Sequence, residues 1–378
     1  MNYDFTPLET ALFADVATAL KRLPTDADPD NRQALLDKDL LCRITGSLAQ
    51  TSYLRLGLEP VADLNGHLSL MGAMEALACR SPSAYLAVEA STRLFGRAVA
   101  DWGDAARKAR WLKPVLAGDL IGALALSETF THGENQSLAT FGEKHGRQVT
   151  VTGAKQYVIN APVADWIAVA GMLEDRFALF FIQSTSPGLF IDAPLETMGY
   201  EGTAISHIRL DGCRIDADQV ICPDNGQNLP EVLKMWENQI LLGAGLGVSS
   251  AAFETARDFA KTHKSDGKPV IAHQEMGFKL AEMFTLLQTA QLLAYRTAWT
   301  LETNPKEAQE LMWCAKVFCT ESAEQICSQA LQVMGAAGCV EGNRAQTAYR
   351  CAKYNQVTGT STEIARVKIG DAELGYRE

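Results

Sequence analysis

Apolar residues recur at helical spacing from the start of the chain. Thr6-Pro7-Leu8-Glu9 supplies a capping hydroxyl, a proline for the first helical position and a carboxylate three residues beyond the cap. Leu8, Leu12, Val16, Leu20 and Leu23 then share one face, which predicts a helix that buries this stripe. Alanine- and leucine-rich helical patterns continue to about residue 118. Near residue 120 the pattern changes to short β-rich runs separated by turn residues. Runs at 148–152 and 157–159 flank Gly153-Ala154-Lys155, and runs at 166–172 and 177–182 flank an acidic turn. Ser186-Pro187-Gly188 breaks the chain again, and Ile208 and Leu210 alternate with polar neighbours. From about residue 229 the helical period returns, with Met283, Leu286, Leu287, Ala290, Leu293, Ala294 and Thr297 on one continuous face. Asn304-Pro305-Lys306-Glu307 opens a further helix that runs to Met334, where Gly335 stops it. The order predicts an α+β chain: an N-terminal helical domain over residues 1–119, an antiparallel β domain of sandwich or barrel type over 120–228, and a C-terminal helical bundle over 229–378.

Composition narrows the function. The 378 residues carry a formal charge of −11, and no basic stripe offers itself to a phosphate backbone, so nucleic acid is not an expected partner. The nine cysteines are scattered without a CxxC pair, which suggests neither a zinc site nor a disulfide framework and fits a reducing compartment. The first residues lack the basic-then-apolar layout of a secretory signal. The longest apolar stretch, 240–253, is broken by glycines and serines and is too short to span a bilayer. The expectation is a cytoplasmic protein with no membrane partner. His132 and His207 have no second ligand at metal spacing, and Ser127 does not sit in a GxSxG elbow, so metal and serine-hydrolase chemistry are not expected. Trp236 and Trp299 lie on apolar helices and read as core.

A series of motifs then gives the pattern a family. Gly153-Ala154-Lys155-Gln156-Tyr157-Val158-Ile159-Asn160-Ala161 is followed by Ala164-Asp165; Pro187-Gly188 is followed by Met198-Gly199-Tyr200-Glu201-Gly202-Thr203. His273-Gln274 precedes Leu280-Ala281-Glu282-Met283, and Gln332-Val333-Met334-Gly335-Ala336-Ala337-Gly338 precedes Gly359-Thr360-Ser361-Thr362-Glu363-Ile364 with Arg366. In order and spacing, over roughly residues 115–370, these segments resemble the acyl-CoA dehydrogenase family. The resemblance implies an acyl-CoA dehydrogenase-like fold with a C-terminal four-helix bundle, FAD held between the β domain and that bundle, and a homotetramer or homodimer, or a heteromeric assembly. A neighbouring subunit completes the adenine site. The implied substrate is an acyl-CoA or an acyl-carrier protein, and the implied electron acceptor is an electron-transfer flavoprotein.

Carried over residue by residue, the resemblance places Leu126, Ser127, Gly133, Tyr157, Ile159, His263, Gln274, Gln332, Gly335, Gly338, Thr360 and Thr362 at the flavin. The turn at Gln332, Gly335 and Gly338 also reads simply as a helix C-cap. Several positions depart from the family pattern. Gly133 replaces a serine and Thr129 a proline; Tyr157 replaces a tryptophan and Ile159 a threonine that bonds the flavin near N5. His263 replaces an arginine that pairs with the FAD pyrophosphate, and Asp266 stands where a phenylalanine is usual, with Lys264 as a compensating cation.

The same resemblance bears on the catalytic base. Many members carry a glutamate just before the terminal Gly-Thr, but this chain reads Val357-Thr358-Gly359-Thr360, and threonine cannot take an α-proton. Isovaleryl- and long-chain-type members and the prolyl-carrier-protein dehydrogenases place the base on an earlier helix. The segment from Met235-Trp236-Glu237-Asn238 to Gly243-Ala244-Gly245 resembles that one, which assigns the base to Glu237. Glu237 also reads as a first-turn acid that favours a helix N-terminus. Asn238 replaces an arginine that often follows this base, and the N–H of Thr358 is left to polarise the thioester oxygen. Two other readings stay open: a flavin monooxygenase of the same fold, whose relatives lack the base, and a non-catalytic or half-catalytic subunit of a heteromeric enzyme.

Overall fold

The computed structural model describes residues 5–20, 35–64, 66–128, 138–223, 228–265 and 267–376. The N-terminal helices are α1 (Pro7–Ala19), α2 (Lys38–Ala49), α3 (Gly66–Arg80), α4 (Pro82–Glu89), α5 (Arg97–Trp102), α6 (Ala105–Arg107) and α7 (Lys113–Ala117). The strands follow as β1 (Gly122–Ala125), β2 (Phe141–His145), β3 (Gln148–Ile159), β4 (Trp166–Leu173), β5 (Arg176–Gln183), β6 (Leu189–Ile191), β7 (Ile205–Asp216) and β8 (Val220–Ile221). The long helix α8 (Leu229–Thr262) leads through a hairpin of β9 (Lys264–Ser265) and β10 (Lys268–Pro269) to α9 (Gln274–Thr303), α10 (Pro305–Met334), α11 (Arg344–Val357) and α12 (Thr362–Glu373).

The helix signals act as predicted, with one exception. Thr6 Oγ1 accepts from the Glu9 N–H and Glu9 Oε2 from the Thr6 N–H, closing a capping box at α1. The buried face is Leu12, Val16 and Ala19 together with Glu9, while Leu8 is 49% exposed, and Leu23 lies outside the described residues. The carboxylate of Glu9 turns inward because Ser69 of α3 donates to it, and that rotates Leu8 outward. Asn304 caps α10, and Gly335 ends it with φ 58°.

One eight-stranded sheet runs in the order β6-β7-β3-β2-β4-β5-β8, with β1 paired beside β4. Most pairings are antiparallel, as the sequence suggests, but β1 and β2 both run parallel to β4. The two runs around Gly153-Ala154-Lys155 are one strand, β3, whose pairing with β7 shifts register at Val151/Gly153 and again at Lys155/Val158. The segment bulges instead of breaking because Lys155 turns its side chain inward, and a Cβ at Gly153 would stand 2.4 Å from Thr140 Oγ1. Both faces of β4 and β5 are buried, which explains their unbroken apolar runs. Ala168, Ala170, Leu179 and Phe181 join the core shared with the helices, whereas Ile167, Val169, Phe180 and Ile182 join a second core made with Val149, Val151, Leu210 and Cys213. Residues of the sheet itself build that second core, so the sheet curls over its own face.

The chain from α4 to α5 is a single helical run with a π-helical stretch, Ala90–Gly96, in its middle. The sheet grips this run directly. Ser91 Oγ accepts from the Gly122 N–H, Asn160 Nδ2 donates to the Ala87 carbonyl, and Phe95 fills the space a side chain at Gly122 would need. On the other side α8 crosses α3 at close range. A Cβ at Gly243 would lie 2.6 Å from the Tyr85 hydroxyl, and one at Gly247 2.4 Å from Ala78 Cβ and 2.6 Å from the Cys79 nitrogen. Between α10 and α11, buried Lys316 donates to the Asn355 carbonyl. Burial pushes its amine down to about 7, with Glu237 acting in the opposite sense.

Gly247→Ala should lower stability by about 1–3 kcal/mol in urea denaturation through overpacking against α3. Gly245→Ala, whose Cβ would stand 3.7 Å from its nearest neighbour, should instead gain up to about 1 kcal/mol from helix propensity. Lys316 binds fewer protons folded than unfolded between about pH 7 and the ordinary lysine range, so its contribution to stability rises with pH across that window. Lys316→Met should flatten this part of the profile when denaturation midpoints are measured against pH.

Candidate active site

The π-helical run, the sheet, α8 and the end of α11 meet around a cavity of about 540 Å³. Leu86, Ala90 and Leu94 form one wall; Ser127, Tyr157 and Ile159 come from the sheet, and Thr197 and Met198 from a loop. Lys234, Glu237, Ile240 and Leu241 enter from α8, and Lys353, Tyr354, Val357, Thr358 and Gly359 from the end of α11. Glu237 and Thr358, widely separated in sequence, therefore line one space. A Cβ on Gly359 would stand 3.8 Å from Glu237 Cβ.

Glu237 sits two turns inside α8, so it is not a first-turn acid. That role falls to Glu231, which accepts from Lys368 Nζ at 3.1 Å. Glu237 Oε2 accepts from Lys234 Nζ at 2.8 Å, the two side chains being 23% and 27% exposed. The next residue, Asn238, is fully buried and bonds twice to Thr360: Oδ1 accepts from the Thr360 N–H and Nδ2 donates to Thr360 Oγ1, both at 3.0 Å. The residue standing in place of the family arginine is thus a clamp between α8 and the turn before α12. Gly359 must be glycine here, since φ is 65° and a Cβ would meet Leu241 Cδ1 at 2.7 Å and Asn238 Oδ1 at 2.8 Å.

Thr358 closes a helix end. Its N–H and its hydroxyl both donate to the Tyr354 carbonyl, at 3.2 Å and 2.9 Å, closing the last turn of α11. The amide is engaged in this conformation.

On the sheet side a buried ion pair sets the geometry. Lys155 Nζ donates to Glu128 Oε1 at 2.5 Å and to the Leu126 carbonyl at 3.1 Å, and Glu128 also accepts from the Thr140 hydroxyl and the N–H groups of Ala139 and Thr140. Burial pushes the Glu128 carboxyl up, but the bonds from Lys155, Thr140 and Ala139 outweigh it and hold the group below the usual range. Burial lowers Lys155 to about 8 against the pull of Glu128. Leu126 is buried and gives its carbonyl to this pair rather than a side chain to the cavity. The Ser127 carbonyl accepts from the Gln156 N–H, which places Ser127 beside Tyr157. Tyr157 has φ 55° and is 62% exposed, its ring edge against His207.

Tyr157, Met198 and Val357 are large apolar side chains that stand exposed around one cavity. Ser127 and Ile159 line the same cavity. The remaining positions expected at a flavin lie elsewhere. His263 ends α8 with its ring stacked on Phe259, Gln274 begins α9 in solvent, and Gln332 and Gly335 are exposed at the end of α10. Gly338 is buried in a 3₁₀ turn, Thr360 is held by Asn238, and Thr362 opens α12 behind the Ser361 cap. None of these lines the cavity, because one chain does not fold them toward it. Gly133, with Thr129, His132 and Asp266, lies outside the described residues. Sequence reasoning overlooked Lys234, Lys353, Tyr354 and Met198. Lys234 carried a usable signal, since three residues before Glu237 on a helix is the same face.

Residues 235–374 match the family description "Acyl-CoA dehydrogenase, C-terminal domain". Benzylmalonyl-CoA dehydrogenase of Aromatoleum aromaticum is 30% identical over 271 residues, 71% of this chain and 72% of that protein. The human mitochondrial short-chain specific acyl-CoA dehydrogenase is 27% identical over 338 residues, 85% of this chain and 81% of its own. Butyryl-CoA dehydrogenase from Megasphaera elsdenii shares the fold with a TM-score of 0.89 at 22% identity, over 99% of this chain and 100% of the other. The matched segment holds Glu237 and Thr358, and the shared fold surrounds them with the same order of helices and sheet, so the chain belongs to the acyl-CoA dehydrogenase family, oxidoreductases that act on CH–CH groups.

Proposed function

We propose that the protein removes hydrogen from the α- and β-carbons of an acyl thioester, with Glu237 as the base. The observation that carries this reading is the carboxylate of Glu237 inside a largely apolar cavity, across from a Thr358 that cannot perform the task. Glu237 Oε takes the α-proton, and the thioester oxygen, which gathers charge as the proton leaves, needs a donor. We assign that role to the N–H of Thr358, which lines the cavity at the end of α11 and would share its 3.2 Å bond to the Tyr354 carbonyl, and the Asn238 clamp holds that end against α8. Leu86, Ala90, Leu94 and Ile240 exclude water around the acyl chain. When bound, FAD would supply the acceptor for the hydride that leaves the β-carbon. Ser127, Tyr157 and Ile159 would hold its ring against the cavity.

The CoA esters in the relatives' names support a CoA thioester over a carrier-bound one, and an electron-transfer flavoprotein is the fitting final acceptor. We place the enzyme in the cytoplasm as a homotetramer or homodimer. The exposure of His263, Gln274 and Gln332 away from the cavity fits a cofactor site completed by a second subunit, in a homomeric assembly or as a half-catalytic subunit of a heteromeric enzyme, which is the second reading. The presence of Glu237 in the cavity favours dehydrogenation over a flavin monooxygenase.

Glu237→Gln should retain flavin and lose at least about 10²-fold in turnover, the range expected for removal of a general base. Anaerobic addition of acyl-CoA should bleach the visible band of the wild type and leave that of the variant unchanged. Bleaching that survives the substitution removes Glu237 from its role, and a homogeneous protein unable to take up FAD sinks the reading. Asn238→Ala should cost about 1–3 kcal/mol by leaving the buried Thr360 N–H without its partner. It should lower Tm and slow turnover with flavin content maintained, as read by thermal melts and single-turnover kinetics.

A further inference from the structure

Helix α11 meets the cavity with its C-terminal end, where Tyr354, Val357, Thr358 and Gly359 line it. That end sets an electrostatic problem for dehydrogenation. The aligned peptide dipoles and unpaired carbonyls of a helix C-terminus amount to about half a negative charge, which opposes a second negative charge forming beside it. The thioester oxygen gathers such a charge at the N–H of Thr358 as the α-proton leaves.

Two side chains answer these carbonyls. Thr358 closes on the Tyr354 carbonyl with its hydroxyl as well as its N–H. The next carbonyl, that of Asn355, accepts from Lys316 Nζ of α10, a side chain that is fully buried. Gly359, four residues on, turns away with φ 65° instead of continuing the ladder. Tyr200, also buried, donates to Asn355 Oδ1 at 2.7 Å, so residue 355 is pinned through its side chain too. Burial weakens the charge on Lys316, Glu237 and Glu363 support it, and Lys234 opposes it. An anion that forms in the cavity acts in the same sense as the two carboxylates and favours the charged amine.

We propose that Lys316 is a positioning residue for the reaction: its ammonium on the Asn355 carbonyl neutralises the end of α11, so that the turn at Thr358 can hold a negatively charged thioester oxygen. This rests on the dehydrogenation reading above and adds a residue that never touches the substrate. The charge is sealed from water, so it acts through the low-dielectric interior. Its effect falls on the transition state, in which the oxygen is charged, far more than on the bound thioester, in which it is neutral. Lys234 and Lys353 do not replace it, since each already has a carboxylate partner, Glu237 and Glu324.

Acetoacetyl-CoA isolates the step in question. Its α-proton can leave, with the electron pair spreading onto the thioester oxygen, but its β-carbon is a carbonyl and has no hydride to give. On the flavin-loaded protein, difference absorbance against pH reads the acidity of the bound ester, and titration calorimetry with butyryl-CoA reads binding of a neutral ground state. Lys316→Gln keeps a donor for the Asn355 carbonyl without the charge. It should make bound acetoacetyl-CoA about tenfold less acidic, the scale of a charge at a partly buried helix C-terminus. Lys316→Met should do the same at a lower Tm, and Lys316→Arg should stay near the wild type. Butyryl-CoA affinity should change by less than about twofold in all three. Unchanged acidity in Lys316→Gln, equal losses for both esters, or an arginine variant as impaired as the glutamine one overturns the proposal and leaves dehydrogenation in place. Failure of the wild type to bind either ester overturns both.

Discussion

The amide of Asn238 holds α8 to the turn between α11 and α12 by two hydrogen bonds to Thr360, and the cavity is the space this attachment leaves. Both partners are buried, so water does not compete for these bonds. The approach is close enough that only glycine fits at 359, and it brings the end of α11 beside Glu237. The same helix α8 is drawn onto α3 through Gly243 and Gly247, so the side chain at 237 is aimed by contacts made along much of the helix.

Charge in the site follows from that packing. Lys316 is sealed between α10 and α11 near Glu237, Lys234 bonds Glu237 directly, and Lys353, which also lines the cavity, pairs with Glu324. Burial weakens the charge on Lys316, while the other two remain within reach of solvent and of anything that enters the cavity. The sheet contributes a more rigid element. The Glu128–Lys155 pair ties the strand end after β1 to the bulged part of β3, which fixes Ser127 and Tyr157 relative to one another.

Much of this was legible in the sequence, for local reasons. The capping box at Thr6, the start at Asn304 and the stop at Gly335 depend on residues within one turn of each other, and they formed where the pattern placed them. The long apolar face of α9 likewise follows from periodicity, and the strand pair β4–β5 from two apolar runs about an acidic turn. Leu8 was misjudged because period alone cannot say that Glu9 will find Ser69. The unbroken course of β3 was missed because Gly153 and Lys155 read as turn residues until the space around Thr140 and Glu128 is known. Glu237 and Thr358 were identified from the motif, and the fold brings them to one cavity. The role of Asn238 was hidden, since an amide in place of an arginine reveals nothing until its partner on a distant helix is seen.

By itself, then, the sequence determined the helical, β, helical order of the chain, the ends of several helices, and the chemical types at the two candidate positions for a base, because those depend on near neighbours and on pattern. Only the tertiary structure decided which face of α8 meets the cavity, that Thr358 spends its N–H on Tyr354, that Lys234 occupies Glu237, and that His263, Gln274 and Gln332 stand away from the site. These are contacts between segments far apart in the chain. Their geometry is set by close packing and by the need of each buried polar group for a partner, and neither has a local signature.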